Sequence, residues 1–168
     1  MAWEELREIG MIPRVAGLWM FWCAMHSLLI AQPVLDWFRA RLGRWFACYR
    51  LGYVVVSSVT LLPLFLYTQR LPQYLVFSWA GPWRVAQVAL LGYALFMGVA
   101  GAREYDVRYF LGLRQIRAQR RGEVLPDFVF AASGILRYVR HPWYSGGLAL
   151  VWAGGSVTTV SLVVKIVL

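Results

Sequence analysis

The 168-residue chain is 60% hydrophobic and 16% aromatic, which is more apolar surface than a soluble domain of this length can bury. It carries 17 Lys and Arg against 8 Asp and Glu, and the basic residues lie in short segments between apolar runs. This distribution favours contact with anionic lipid headgroups and excludes nucleic acid as the expected partner. The sequence therefore predicts an all-α integral membrane protein, a single domain over residues 1–168, whose main partner is the lipid bilayer.

Three apolar runs predict membrane-spanning helices at residues 15–31, 51–69 and 85–102, after a polar start at residues 1–14. The first run would form a helix about 25 Å long, which needs help from flanking residues to cross a hydrocarbon core of about 30 Å. It contains His26, for which a hydrogen-bonded packing role and a substrate contact both remain open.

The segments between these runs are predicted to lie at membrane interfaces. Gln32-Pro33 ends the first run, and residues 32–50 predict a loop that combines four arginines with tryptophans, a mixture typical of an interface belt. Residues 71–83 predict an interfacial loop because prolines bracket a short apolar stretch. Residues 103–121 predict one amphipathic surface helix with Gly122 as its stop, and residues 123–136 predict a connecting loop.

The arginine count predicts the orientation of the chain. Residues 32–50 contain four arginines and residues 103–140 contain eight, whereas the N-terminal segment and the loop between the second and third runs have two each. By the positive-inside rule, both arginine-rich segments face the cytoplasm and the N-terminus faces out. We expect a protein of a bacterial inner membrane. Cys23 and Cys48 lack a metal-binding or redox spacing, so we expect reduced thiols and no metal site.

Residues 137–147 place basic, aromatic and imidazole groups at the start of the last apolar run. Pro142 suits the first turn of a helix, and His141 before it can donate to a carboxylate or accept from an amine. Trp143 and Tyr144 offer aromatic faces to a cation, and the flanking arginines can hold a carboxylate. S-adenosylmethionine (SAM) has a carboxylate, an amine, a sulfonium and an adenine, and would use all of these groups.

Residues 134–146 read Gly-Ile-Leu-Arg-Tyr-Val-Arg-His-Pro-Trp-Tyr-Ser-Gly. This stretch resembles the Gly-x-Tyr-x-x-x-Arg-His-Pro-x-Tyr-x-Gly signature of integral-membrane methyltransferases, which include isoprenylcysteine carboxyl methyltransferases, phospholipid N-methyltransferases, methanethiol S-methyltransferases and NnrU-like proteins. The stretches His26-Ser27-Leu28-Leu29 and Phe110-Leu111-Gly112-Leu113-Arg114-Gln115 are similar to segments of the last two branches.

The resemblance implies about four transmembrane helices, SAM as cofactor, and methyl transfer to a small thiol or lipophilic substrate. The implied cofactor-binding residues are Gln115, Leu136, Arg140, His141, Pro142, Trp143 and Tyr144. Leu136 stands where relatives carry a tyrosine, and His26 is an implied substrate contact. No general base is identified, and a thiol nucleophile needs little acid–base help because part of it is ionised near neutral pH.

Two questions stay open at the C-terminal end. Relatives continue with a returning helix that closes the cofactor pocket, so the resemblance implies that this chain lacks a C-terminal segment. The last apolar run is either a fourth span over residues 143–164 or a helical hairpin that turns at Gly154-Gly155-Ser156.

A second class of function also stays open. A non-catalytic, NnrU-like or haem-associated accessory protein would use His26 and His141 as its two available imidazoles. His141 alone would also serve as a headgroup-binding histidine at an interface. The arginines of residues 103–121 are expected to form a solvated, lipid-facing patch under either function.

Overall fold

The computed structural model of the chain describes residues 2–124 and 133–168, with side chains from residue 10 onward. The described part is mostly helical, which confirms the predicted class. The α-helices are α1 (Ala2–Leu29), α2 (Gln32–Leu42), α3 (Tyr49–Arg70), α4 (Trp83–Glu104), α5 (Val107–Phe110), α6 (Leu113–Arg121), α7 (Pro142–Ala153) and α8 (Thr159–Val167). There are also two 3₁₀ helices (Gly43–Cys48 and Gly134–Arg137) and two short strands, β1 (Leu75–Phe77) and β2 (Val157–Thr158).

Two helical stretches of the described part are long and apolar enough to cross a membrane. They are Gln32–Arg70, which contains α3, and α4. Most of their side chains face outward, since the buried residues are only Thr68 in α3 and Ala94, Met97 and Gly101 in α4. Apolar helices this exposed are unlike the core helices of soluble proteins and support membrane association. They match the second and third predicted spans, but four spans are not shown.

Residues 32–50 are helical and do not form the expected loop. The predicted boundary at Gln32-Pro33 is correct, because α1 ends at Leu29 and α2 begins at Gln32 with Pro33 in its first turn. The guanidinium groups of this segment lie over aromatic rings at 4.9–5.4 Å, in the pairs Arg39–Phe46, Arg41–Trp37 and Arg44–Trp45. Such pairs keep the arginines on an amphipathic surface, as expected at an interface.

The expected loop at residues 71–83 contains β1, which pairs antiparallel with β2. Leu75 lies opposite Thr158 and Phe77 opposite Val157, and the Thr159 amide donates to the Tyr74 carbonyl at 2.9 Å. This pairing joins the α3–α4 connection to the segment that precedes α8.

The single amphipathic helix predicted at residues 103–121 is wrong in extent. The chain leaves α4 at Glu104, and Asp106 then starts α5 by accepting a 3.1 Å hydrogen bond from the Tyr109 amide. Gly112 separates α5 from α6 with φ +84°, a conformation that favours glycine. The predicted stop is correct, since α6 ends at Arg121 and Gly122 follows as its C-cap with φ +67°.

A helical hairpin follows His141, so the single fourth span is wrong. Helix α7 has 12 residues and is about 18 Å long, too short for a hydrocarbon core of about 30 Å. The chain turns after Ala153 and returns as α8, whose Lys165 ammonium donates to the carbonyls of Val151, Trp152 and Gly154. This cation therefore satisfies carbonyls at the C-terminal end of α7. Helix α8 packs on α1, with Val15, Trp19 and Val160 as the buried cluster.

Helices α4 and α7 pack closely because glycines lie at their contact. A Cβ atom at Gly101 would lie 2.6 Å from Nε1 of Trp143, and one at Gly146 would lie 2.9 Å from Cβ of Met97. The N-terminal turn of α7 is thereby held against the end of α4. Of the predicted connecting loop at 123–136, residues 125–132 lie outside the described residues, and Gly134–Arg137 is a 3₁₀ helix packed on α4.

Candidate functional site

A cavity of about 320 Å³ lies beside the N-terminus of α7, and we call it the α7 cavity. It is lined by Arg50, Tyr105, Asp106, Tyr109, Phe110, His141, Trp143 and Tyr144. Its volume falls in the range of about 300–1,000 Å³ that is typical of small-molecule sites. One acidic group, one guanidinium and five aromatic rings besides the imidazole therefore face one space.

One wall of the α7 cavity comes from the start of α7. Trp143 is fixed there because its Nε1 donates to the Gly98 carbonyl at 3.1 Å, and its ring meets Tyr105 and Phe110 edge-on at 5.0 and 5.3 Å. Tyr144 is 72% exposed, so its ring is open to a ligand. His141, the residue before the helix, is exposed as well.

Other lining residues come from α5, the segment before it and the start of α3. Arg50 Nε donates to the Phe110 carbonyl at 2.9 Å, which fixes α5 against α3. Asp106 accepts from the Tyr109 amide through Oδ1, and its Oδ2 lies 2.6 Å from Nε of Arg114. The carboxylate is therefore oriented from two sides and only partly exposed.

Three of the seven predicted cofactor-binding residues, His141, Trp143 and Tyr144, line the α7 cavity. The other four are near it but outside its lining. Leu136 is buried in the 3₁₀ helix, and Pro142 is buried at the first turn of α7. The Arg140 side chain is exposed, while its carbonyl accepts from the Tyr105 hydroxyl at 3.3 Å. The Gln115 amide donates to the Tyr109 carbonyl at 3.1 Å, behind α5.

The sequence assigned no cofactor contact to the residues that complete the α7 cavity, which are Arg50, Tyr105, Asp106, Tyr109 and Phe110. Two local signals existed: Phe110 begins one of the stretches that resemble the family, and an aspartate just before a helical segment is typical of an N-cap. Arg50 had no such signal, since it looks like the other arginines of its segment and its contact partner is 60 positions away.

A second cavity, of about 390 Å³, lies between α1 and α7, and we call it the α1–α7 cavity. It is lined by Trp22, Cys23, His26, Ser27, Trp143, Tyr144, Gly147, Leu148, Val151, Val167 and Leu168. Trp143 and Tyr144 line both cavities. The two spaces are therefore neighbours that share part of one wall.

His26 lines the α1–α7 cavity but directs its nitrogens to α3. Its ring stacks on Trp22 with centroids 4.8 Å apart. The Tyr53 hydroxyl lies 2.7 Å from Nε2, and the Ser57 hydroxyl lies 3.1 Å from Nδ1. The imidazole is thus hydrogen-bonded in the way expected of a packing histidine, while its ring also borders the cavity.

His26 and His141 line different cavities. A haem iron bound by both imidazoles requires the two side chains to converge on one space. The described residues also contain no group of three or more histidine, cysteine or acidic side chains arranged to hold a metal ion. This geometry gives no support to a shared haem between the two histidines.

These features define a mostly helical, membrane-associated protein with a candidate small-molecule site at the start of its helical hairpin. No family model, curated protein or solved structure matches the chain. The likeness to integral-membrane methyltransferases is therefore carried by the sequence around residues 134–146.

Proposed function

We propose that the chain is a SAM-dependent membrane methyltransferase that acts on a small thiol or lipophilic substrate, with SAM in the α7 cavity. One observation carries the proposal. His141, Trp143 and Tyr144 belong to the stretch that resembles the methyltransferase signature, and all three line one cavity together with a carboxylate and a guanidinium. A site of this size and composition suits a zwitterionic ligand with an aromatic base.

The side chains around the α7 cavity fit the groups of SAM one by one. The terminal nitrogens of Arg50 suit the carboxylate, since its Nε is committed to Phe110. Asp106 suits the ammonium or the ribose hydroxyls as an acceptor. The aromatic rings, Tyr144 among them, suit the sulfonium and the adenine.

The contribution of the chain to the reaction would be binding, alignment and exclusion of water. SAM supplies an electrophilic methyl group on a sulfonium. The acceptor sulfur, ionised by loss of its proton to water, forms the new carbon–sulfur bond while the sulfonium bond breaks and leaves a neutral thioether. Rigid walls such as Trp143, held by Gly98, favour alignment, which contributes up to about 7–11 kcal/mol in the best cases.

The membrane arrangement is part of the same proposal. Helix α1 and the hairpin complete a bundle with α3 and α4 in a bacterial inner membrane, with the N-terminus out. One contact between the two arginine-rich segments supports this arrangement, since the Arg50 Nε donates to the Phe110 carbonyl. The Tyr49 hydroxyl also donates to the Leu29 carbonyl at 2.7 Å, which joins the end of α1 to the start of α3. Segments that share a cytoplasmic face must lie at the same end of the bundle, and the Arg50 contact fits that requirement.

The direct test is the binding of SAM and S-adenosylhomocysteine to the purified protein in lipid nanodiscs, measured by calorimetry. We expect His141→Ala and Tyr144→Ala to weaken binding by at least about tenfold, because each removes a cavity wall group. Tyr138→Ala is the matched control, since Tyr138 is 84% exposed and outside the cavity lining. Absence of binding by the unsubstituted protein overturns the proposal, and a Soret band lost on replacing either histidine favours the accessory role.

A further inference from the structure

We propose that the α1–α7 cavity binds the methyl acceptor and that it selects a small molecule whose only ionisable group is the reacting thiol. This inference rests on the proposed function, because it assigns the second ligand of that reaction. It goes further by assigning a separate site and a chemical class to that ligand.

The first step is the position of the cavity. Trp143 and Tyr144 are the two side chains that line both cavities. A ligand in each space would therefore be separated only by this shared wall. Trp143 is held by Gly98, whereas Tyr144 is 72% exposed, so the Tyr144 side chain has room to move aside. Two reactants that must meet require such neighbouring sites.

The second step is the charge of the lining. The α7 cavity presents Arg50 and Asp106, but no lysine, arginine, aspartate or glutamate lines the α1–α7 cavity. His26 uses both ring nitrogens toward hydroxyls of α3. The remaining polar side-chain groups of the lining are hydroxyls, a thiol and two indoles. A carboxylate or ammonium substituent on the acceptor would lose hydration there without gaining a charged side chain as partner, so the cavity favours acceptors without such a substituent.

The third step is access. Helix α1 packs on α3 and α8, whereas α7 packs on α4, which leaves the gap between α1 and α7. Ser27, Tyr144, Gly147 and Leu148 lie at its rim and are exposed. In a bilayer this opening lets an apolar molecule enter from the lipid. The volume of about 390 Å³ limits its size.

Gly147 allows a clean test of occupancy. A Cβ atom at Gly147 meets nothing within 4 Å and Gly147 lines the cavity, so a leucine there is expected to occupy part of the space. Gly92 in α4 also has free space around it but does not line the cavity, so Gly92→Leu is the matched control. With propane-1-thiol as acceptor, we expect Gly147→Leu to lower kcat/KM at least about tenfold with little change in SAM affinity. An unchanged kcat/KM in Gly147→Leu overturns the inference.

Three thiols of similar size test the selectivity for charge. They are propane-1-thiol, which is neutral, mercaptoacetate, which is anionic, and cysteamine, which is cationic. Compared at equal thiolate concentration, we expect kcat/KM for propane-1-thiol to exceed the other two by at least about tenfold, because only it lacks a second charged group that the lining would leave unpaired. Equal or better use of a charged thiol contradicts the proposed class.

Cys23 provides a readout that does not depend on turnover. It lines the α1–α7 cavity and is half-buried, and Cys48 is the other free cysteine of the described part. In a Cys48→Ser background, we expect methyl propyl sulfide, the product of propane-1-thiol, to slow alkylation of Cys23 by N-ethylmaleimide several-fold. SAM binding without this protection would contradict the acceptor site alone. Absence of SAM binding by the same protein would contradict the proposed function.

Discussion

Arg50 and Phe110 are 60 positions apart, yet the Arg50 Nε donates to the Phe110 carbonyl at 2.9 Å and its guanidinium lies 5.0 Å over the Phe110 ring. The contact joins the first turn of α3 to the last residue of α5. It therefore fixes one wall of the α7 cavity against a membrane-spanning candidate helix. Arginine suits this role because its planar group stacks and donates at the same time.

Replacing Arg50 by lysine is expected to weaken this wall although the charge is kept. Lysine loses both the stacking and the directed Nε–H donor, which are worth about 0.5–1 and 1.5–3 kcal/mol in comparable settings. We expect SAM affinity to fall by about tenfold or more in Arg50→Lys, measured by calorimetry. Arg44→Lys, in the exposed segment before α3, is the control and should bind normally. If Arg50→Lys bound SAM as tightly as the unsubstituted protein, the stacking and the Nε donor of Arg50 would not be needed for the cavity wall.

Asp106 combines a structural and an electrostatic role that two substitutions separate. An asparagine at this position would still accept from the Tyr109 amide, whereas an alanine would lose the N-cap of α5, a loss of about 0.5–2 kcal/mol. We expect Asp106→Asn to lose SAM affinity and only a little thermal stability, because the ion pair it breaks is with an Arg114 side chain that is 60% exposed, while Asp106→Ala loses affinity and more of the stability. Thermal unfolding and calorimetry in the same detergent provide the two readouts. Unchanged SAM affinity in Asp106→Asn would show that the carboxylate does not contribute to SAM binding.

The sequence predicted the elements whose signal is local. The apolar runs 51–69 and 85–102 end at arginines, and the helices Tyr49–Arg70 and Trp83–Glu104 extend each of them by only two residues at the N-terminal end and by one or two at the C-terminal end. Pro142 starts α7 as expected, because a proline has no amide hydrogen to lose in the first turn. These features depend on hydropathy and backbone chemistry within a few residues.

Features that depend on distant partners were not predictable in this way. Strands β1 and β2 have three and two residues, too few for a periodic pattern, and their pairing joins Leu75 to Thr158. The sequence did not reveal the break between α5 and α6, because the arginines on both sides continue a helical pattern. The break depends on Gly112, which has a positive φ and lies close to the Leu51 backbone in the folded chain. Five of the eight residues that line the α7 cavity were not assigned to it for the same reason, because α3 and α5 meet only in the folded chain.

We expect Lys165 to stabilise the hairpin through hydrogen bonds to backbone carbonyls. Its ammonium group has no acidic partner among the described residues. It is 6% exposed, and its ammonium donates to the carbonyls of Trp152 and Gly154 at 3.0 and 3.3 Å. Lys165→Met would keep the apolar stem but leave these carbonyls without a donor, at a cost of about 1–3 kcal/mol. We expect a lower melting temperature, with Ile166→Met as a control at an exposed position. A melting temperature equal to that of the unsubstituted protein would show that the capping contributes nothing.

Gly101 tests whether the position of Trp143 matters for the α7 cavity. A Cβ atom at Gly101 would lie 2.6 Å from Nε1 of Trp143, so an alanine must displace the ring that forms the shared wall of both cavities. Overpacking of this kind typically costs about 1–3 kcal/mol. We expect Gly101→Ala to lower the melting temperature and weaken SAM binding together. Gly98→Ala is the matched control on the same helix, because a Cβ atom at Gly98 meets nothing within 4 Å and the carbonyl that accepts from Trp143 is retained. Equal effects of the two alanines would mean that the helix, and not the placement of Trp143, is responsible.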